Sequence, residues 1–354
     1  MLFGYRDTVN LVKYIWERRH RLKGKNLSQI LNASLNLFEN TLRHTRMCSL
    51  PMTLQIEPTN RCNLSCKQCF RYDRVSKRIL GDLTFENFEK IMNQFPKVFD
   101  VSLIGLGESF MNKDLYRMID SLDKRNVDIS LTTNGTVLDK KTISSINKAK
   151  KVYIQFSLDA ALRDTYKKIR GVDCFDKVLS NIKEFIKFKK KSVHASLGFV
   201  VMLDNYHELD EFVRLAAELN INTIHLGDLN GPWLGDNRDE LLIDNTTKIK
   251  KNIEKAYKTA KKKGVEIKYN KYAYLWGEEA NITKCWFLWQ FPYITWDGYL
   301  TTCCNLPNPE THNFGNVLKS SFKELWNSVS YRDFRETLKK GRPKKICRTC
   351  HLAN

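Results

Sequence analysis

Residues 53–70 read TLQIEPTNRCNLSCKQCF. The opening TLQIE is a short run of β-type residues. Directly behind it stand Cys62, Cys66 and Cys69 at C-x3-C-x2-C spacing, with the aromatic Phe70 after the last. Three thiolates can hold three irons of a [4Fe–4S] cube. The fourth iron then lacks a protein ligand and is free to bind a substrate or cofactor. Spacing alone leaves zinc open, with a fourth ligand from elsewhere.

Further β-type runs follow at 101–104, 128–132, 152–158, 196–202 and 221–226. Helical patterns fill the gaps. The first begins at Thr84, an N-cap with Asn87 three residues on, and buries Phe88, Ile91, Met92 and Phe95. Others cover about 114–125, 139–149, 175–190 and 206–219. Alternation of this kind implies a parallel sheet, because parallel strands need crossover helices. The expected fold is α/β, a partial (β/α)6 TIM-like barrel with an open side. Loops after the strand C-terminal ends build the active sites of such barrels, so the cysteine loop faces the mouth.

Residues 1–50 read as an N-terminal helical segment. Leu31, Leu35, Phe38 and Leu42 recur on one helical face, and Val9, Val12, Ile15 and Trp16 suggest an earlier helix. The stretch between them, Arg18 to Lys25, is basic. A basic amphipathic segment of this kind packs on its own protein or, as the lesser alternative, gives residues 1–25 a peripheral membrane contact. The barrel core spans 51–240, and a linking helix falls within 241–270. Aromatics, Pro, Gly, Asn and Cys become dense in a small domain over 271–354.

The chain has 354 residues, 42% of them hydrophobic, enough for a core of this size. No run approaches 18 apolar residues, which excludes a membrane-spanning helix. Asp7, Lys13 and Glu17 interrupt the N-terminal apolar residues, so the start does not read as a secretory signal, and the default location is cytoplasmic. Ten cysteines in such a compartment point to metal rather than to disulfides. The net charge of +20 is read first as lysine dressing solvent faces and helix ends, and second as the mark of an anionic partner.

The cysteine loop resembles the signature of the radical S-adenosylmethionine (SAM) superfamily. Glu57-Pro58-Thr59-Asn60-Arg61 looks like the family's approach to that loop, and Phe70 stands where the family places an aromatic. The resemblance covers about residues 51–230. It implies a SAM-binding [4Fe–4S] cluster on Cys62, Cys66 and Cys69, one-electron cleavage of SAM to a 5′-deoxyadenosyl radical, and hydrogen abstraction from substrate. It also implies a reducing partner such as flavodoxin or ferredoxin. Gly105-Leu106-Gly107-Glu108-Ser109 is similar to a Gly-Gly-Glu-Pro-like segment that contacts the SAM amino group, with Leu106 and Ser109 departing from the pattern. That assigns Gly105, Gly107 and Glu108 to SAM. Asn134 and Ser157 resemble residues lining the SAM pocket, and Arg170 resembles an arginine paired with the SAM carboxylate.

The last residues carry Cys285, Cys303, Cys304, Cys347 and Cys350. Asp297-Gly298 between alternating residues signals a hairpin. A hairpin Cys with a terminal C-x2-C makes a four-thiolate site that suits zinc or a fully ligated cluster equally well. The order of Trp-Asp-Gly, Gly-Asn-Val, Leu-Trp-Asn and cysteines resembles a SPASM or twitch domain. The resemblance implies one auxiliary [4Fe–4S] cluster on Cys285, Cys303, Cys347 and Cys350. Its spacing from Cys285 selects Cys303 over Cys304. Cys304 and Cys174 are then spare, and each is a candidate hydrogen-atom donor to a substrate radical.

These readings converge on a radical SAM enzyme acting on a small hydroxylated or phosphorylated substrate by oxidation, epimerisation or bond formation. Maturation of a ribosomally made peptide is the runner-up, weakened by an N-terminal segment without strands. RNA modification rests on charge alone, and a nucleic-acid partner is disfavoured. A non-catalytic metal-stabilised binding protein requires the open three-cysteine site to be vestigial.

Overall fold

The computed structural model describes residues 24–69, 71, 79–228, 246–270, 285–304, 306–344 and 347. The early helix read from Val9 to Trp16, most of the basic stretch 18–25, Phe70 and Cys350 lie outside the described residues. All six expected strands are present: β1 (Thr53–Ile56), β2 (Asp100–Leu103), β3 (Asp128–Thr133), β4 (Val152–Ser157), β5 (Val193–Val201) and β6 (Thr223–Asp228). The crossovers carry α2 (Phe85–Met92), α3 (Leu115–Lys124), α4 (Lys140–Lys148), α5 (Arg163–Arg170), α6 (Phe175–Phe188) and α7 (Leu209–Glu218). Ahead of them lies α1 (Leu27–Thr41). Thr84 caps α2 as expected, its hydroxyl accepting from Asn87 N at 3.2 Å.

The sheet is larger than six strands. After α8 (Thr246–Lys263) the chain adds β7 (Glu266–Asn270) parallel to β6. The linking stretch therefore holds a strand as well as a helix. EIKYN carries the alternation of a half-buried strand, but its five residues follow the lysine-rich helix too closely to stand out from it. At the other edge, β8 (Tyr293–Ile294) pairs parallel with β1 and turns back into β9 (Leu300–Thr301). The order is β7-β6-β5-β4-β3-β2-β1-β8-β9. The hairpin expected at Asp297-Gly298 thus extends the barrel sheet itself. Gly298 takes a φ of +87° in its turn, where a side chain would be strained.

The strands bury one set of side chains against the helices and turn the other set inward. Along β4, Val152, Ile154 and Phe156 are buried in the outer core. Tyr153, Gln155 and Ser157 alternate with them and are half-buried. The interior holds a cavity of about 1100 Å³, lined among others by Ser102, Ser130, Thr132, Gln155, Ser196 and His225. Its floor is α1, through Ile30, Ala33, Ser34 and Leu37.

Helix α1 inverts the sequence expectation. Leu31 and Leu35 are exposed, while Gln29, Asn32, Asn36 and Glu39 are buried. The buried face is satisfied by hydrogen bonds instead of apolar contact. Gln29 Nε2 donates to Val98 O (3.0 Å), and Asn36 Nδ2 donates to Ser49 Oγ (3.0 Å) and to Trp289 O (2.8 Å), in α9 (Phe287–Gln290). The segment after α1 ties the C-terminal region down. Trp326 Nε1, in α10 (Phe322–Trp326), donates to Ser49 O, and Arg335 Nη1, in α11 (Val329–Lys339), donates to Thr45 O.

Candidate active site

The chain leaving β1 enters the cysteine loop at the barrel mouth. Two neighbouring loops set its path. Gly107 N donates to Thr59 O (3.1 Å) and Glu108 N to Arg61 O (2.8 Å), laying the loop after β2 along the approach to Cys62. A Cβ on Gly107 would stand 2.3 Å from Arg61 O and 2.5 Å from Thr59 O, both backbone atoms that cannot swing aside. On the other flank Lys67 N donates to Ile169 O (2.8 Å). There Gly171 has a φ of +73°, and a Cβ on it would meet Ser65 Oγ at 2.2 Å. Gly107→Ala is expected to displace the loop and cut SAM cleavage about a hundredfold, with iron per chain falling beside it. Unchanged iron content and rate in that variant would show that the close packing does not matter.

Cys66 is buried, and Cys62 and Cys69 are half-buried. Burial pushes the Cys69 thiol up to about 11, and Cys66 and Cys62 add to the rise. Burial likewise raises Cys62, with Glu108 and Cys66 contributing. The three sulfurs thus lie within electrostatic reach of one another, and at Cys62 and Cys69 burial favours the neutral thiol until a bound cation displaces its proton. Among the described residues no three His, Cys, Asp or Glu side chains converge on one point that would hold a single ion. Thiolates that each serve a different iron need no such convergence.

Hydrogen-bond donors meet two of these sulfurs. Asn134 Nδ2 lies 3.9 Å from Cys62 Sγ and donates to Asn63 Oδ1 at 2.9 Å. Arg170 Nη1 lies 3.5 Å from Cys66 Sγ. Glu108 is 3% exposed, and its carboxylate already accepts from Thr133 Oγ1 (2.8 Å), Asn134 N (2.6 Å) and Phe110 N (3.2 Å). Burial raises the Glu108 pKa, and these three bonds resist the rise. Three donors leave the carboxylate about one free acceptor position. Gly105 sits where the loop turns over Glu57. Ser157 ends β4 in register with Gly198. The structure therefore gathers Cys62, Cys66, Cys69, Glu108, Asn134 and Arg170, with Gly105, Gly107 and Ser157 on the flanks.

Two carboxylates to which sequence reading gave no role of their own organise this cluster. Asp159, in the left-handed region with φ +61°, is 3% exposed. Its Oδ1 accepts from Val200 N (2.8 Å) and its Oδ2 from Gln68 Nε2 (2.7 Å). Arg170 Nη2 stands 2.7 Å from the same Oδ2, close as an ion pair but not aligned as a hydrogen bond. Burial by itself would lower the Arg170 pKa, but Asp159 and Cys66 carry it above its ordinary value. Glu57 is fully buried. It accepts from Leu106 N (2.8 Å), Tyr293 OH (2.9 Å) and Trp296 N (3.2 Å), joining the mouth to the hairpin of β8 and β9. Asp159 stands in the segment Ser157-Leu158-Asp159 and Glu57 in the approach to the cysteine loop, both similar to family segments, but their partners Gln68, Val200, Tyr293 and Trp296 lie too far away in sequence to be read there.

In the C-terminal region, Cys285, Cys303 and Cys347 are half-buried against the core. Tyr331, fully buried in α11, has a raised pKa caused first by burial. Arg335 opposes the rise, and Cys303 and Cys285 add to it. Those two sulfurs therefore share one neighbourhood. Cys174 caps the start of α6, its sulfur 3.3 Å from the buried Tyr166 hydroxyl.

Comparison with known proteins agrees with this geometry. The radical SAM superfamily model matches residues 56–216, and the iron–sulfur cluster-binding domain SPASM matches 285–351. The tungsten-containing aldehyde ferredoxin oxidoreductase cofactor-modifying protein of Pyrococcus furiosus is 24% identical over 301 residues, 80% of this chain and 82% of that one. A probable GTP 3′,8-cyclase of Saccharolobus solfataricus is 34% identical over 184 residues, 51% of this chain and 58% of its own length. Among solved structures, Streptococcus suis SuiB bound to precursor peptide SuiA superposes with a TM-score of 0.67 at 17% identity, over 91% of this chain and 74% of that one. Native anSMEcpe with bound AdoMet superposes with a TM-score of 0.62 at 21% identity, over 85% and 89%. These matches, over a barrel whose first strand delivers three cysteines to the mouth, establish that the chain belongs to the radical SAM superfamily and is an enzyme of it with a C-terminal SPASM iron–sulfur domain.

Proposed function

We propose that this radical SAM enzyme abstracts hydrogen from a small, neutral, hydroxylated molecule held in the barrel interior. The observation that carries this reading is the cavity. It reaches Ile104 and Thr132, one residue short of Gly105 and Thr133 at the mouth. Hydroxyl and amide side chains dominate its polar lining. Its two histidines, His194 and His225, have pKa values lowered first by burial and then by nearby lysines, so they are neutral near pH 7. Lys268, in the same lining, is paired with Glu266 (3.4 Å), and the lining also carries the carboxylates Asp100 and Asp128. Among the described residues that set recognises hydroxyls by hydrogen bonds and offers no cationic clamp for a phosphate, which favours the hydroxylated over the phosphorylated substrate.

The residues at the mouth fit the cofactors. Cys62, Cys66 and Cys69 would hold the [4Fe–4S] cluster, with Asn134 and Arg170 donating toward two of the sulfurs, contacts that tune a cluster's potential. Arg170 Nε and Gln68 Oε1 are buried beside the loop without a hydrogen-bond partner. They supply one donor and one acceptor, suited to the carboxylate and amino groups of SAM, and Glu108 retains one acceptor position. When bound there, cluster and SAM would supply one-electron cleavage chemistry for hydrogen abstraction from substrate. The auxiliary cluster falls to Cys285, Cys303, Cys347 and Cys350, supported by the shared surroundings of Cys285 and Cys303. Neither Cys174 nor Cys304 is among the residues lining the cavity, so a hydrogen-donor role for either has no support from position. A flavodoxin or ferredoxin remains the reducing partner we infer.

A peptide substrate is the second reading, since SuiB was solved with its precursor peptide and shares the fold. The test is SAM cleavage by the anaerobically reduced full chain, with polyols, aminocyclitols and short peptides bearing deuterium at reactive C–H positions. Stimulation of at least about tenfold and deuterium in 5′-deoxyadenosine are expected from a hydroxylated small molecule. Gln155→Leu should raise its KM and leave the unstimulated cleavage in place. Stimulation by peptides alone would replace the first reading with the second.

A further inference from the structure

We propose that the end of the barrel opposite the active-site mouth docks on an anionic phospholipid bilayer. Helix α1 lies across the N-terminal ends of the strands. Lys25 Nζ, just before it, donates to Phe99 O (3.1 Å), Asn126 O (2.9 Å) and Asp128 Oδ1 (2.9 Å). With Gln29, Asn32 and Asn36 bonded below, the helix is fixed in its roll. Its outer face carries Leu27, 71% exposed, Leu31, 60%, Leu35, 41%, and Leu42, 38%. Four leucines at helical spacing form one apolar ridge. Phe38 lies beside them, with its ring edge-on to His44. A contiguous apolar ridge on water is unfavourable and marks a contact surface.

The charge around the ridge identifies the occupant. Barrel helices run opposite to their strands, so their C-terminal ends emerge on the same face as α1. Those ends carry Lys124, Lys148, Lys187, Lys191, Lys261 and Lys263, all exposed. Phe188, 59% exposed, rises among them with the Lys187 ammonium 5.3 Å from its ring centre. Between α6 and α8 lies a cavity of about 420 Å³ whose lining includes Lys189, Lys191 and Lys263 and no carboxylate. Nucleic acid would engage the lysines and offer nothing to the leucines. A bilayer with anionic headgroups engages both, taking the ridge into its acyl boundary and the lysines at its phosphates. No helix among the described residues is long and apolar enough to cross a membrane, so the contact is peripheral. The mouth, at the other end, stays in water.

The test is flotation of the full chain with vesicles of phosphatidylcholine alone or with about one third phosphatidylglycerol. Flotation with the anionic vesicles only is expected. Leu31→Glu with Leu35→Glu, and separately Lys191→Glu with Lys263→Glu, should each weaken it about tenfold with circular dichroism and SAM cleavage unchanged. Absence of flotation overturns the proposal. So does flotation indifferent to the leucine pair, which would leave charge alone and point to nucleic acid. A dimer in solution that the leucine pair dissociates would assign the ridge to a second copy, and a full chain that does not float while a chain lacking residues 1–23 does would assign it to that segment. Either outcome refutes bilayer docking.

Discussion

A Cys66→Ala enzyme, reconstituted anaerobically and reduced, forms no 5′-deoxyadenosine above background, a loss of at least about a thousandfold. Cys66 is the buried centre of the loop, and its carbonyl accepts from Cys69 N at 3.0 Å. Its sulfur is the one that Arg170 approaches. Removing it leaves two ligands for a cube that needs three, and withdraws one of the two partners of a buried guanidinium. Iron content separates the two cysteine groups. The wild type should hold about eight irons and Cys66→Ala about four. Cys285→Ala should also hold about four, yet still cleave SAM, because its cysteine belongs to the other domain. Cleavage at the wild-type rate by Cys66→Ala would refute the assignment of the loop.

Asp159→Ala should destabilise the fold by about 3–5 kcal/mol, because it strands the Arg170 charge in a site 5% exposed. Arg170 keeps only the Cys66 sulfur, and Val200 N and Gln68 Nε2 lose their acceptor. A melting point about 10 °C lower is the expected reading. Asp159→Asn separates charge from shape, since asparagine also tolerates the left-handed backbone that Asp159 adopts. It should destabilise less than alanine and still more than a surface substitution. Asp159→Leu with Arg170→Met, which removes both charges, should recover much of the lost stability without restoring SAM cleavage. A melting point for Asp159→Ala within a degree of wild type would show that the pair holds nothing together.

The cysteine loop and the six strands were legible because their signals are local. Strand patterns, the Thr84 cap and the Asp297-Gly298 turn each depend on residues a few places apart, and each is present where the pattern placed it. Helix α1 was legible in its period and misleading in its direction. Its leucines mark the helix, but the buried face is held by asparagine and glutamine side chains bonded to Val98, Leu50 and Trp289. Periodicity cannot identify such partners, and the usual rule assigns the core to the apolar side. Strand β7 was missed because five alternating residues behind a lysine-rich helix carry little signal of their own.

The sequence by itself determined the chemistry and its carrier. Three thiols spaced for a cluster and five more near the C-terminus follow from covalent order, and the β/α alternation follows from local propensity. Tertiary structure alone decided how that chemistry is held. Glu57 joins the mouth to the hairpin through Tyr293, more than two hundred residues on. Asp159 holds Arg170 against the cysteine loop, and Gly107 and Gly171 are glycines because another loop's atoms fill the space a side chain would need. The basic, leucine-ridged face likewise exists only once the helix ends are gathered at one end of the barrel. Contacts between residues distant in the chain form when the sheet closes its neighbours together, and no local pattern encodes which distant group will arrive.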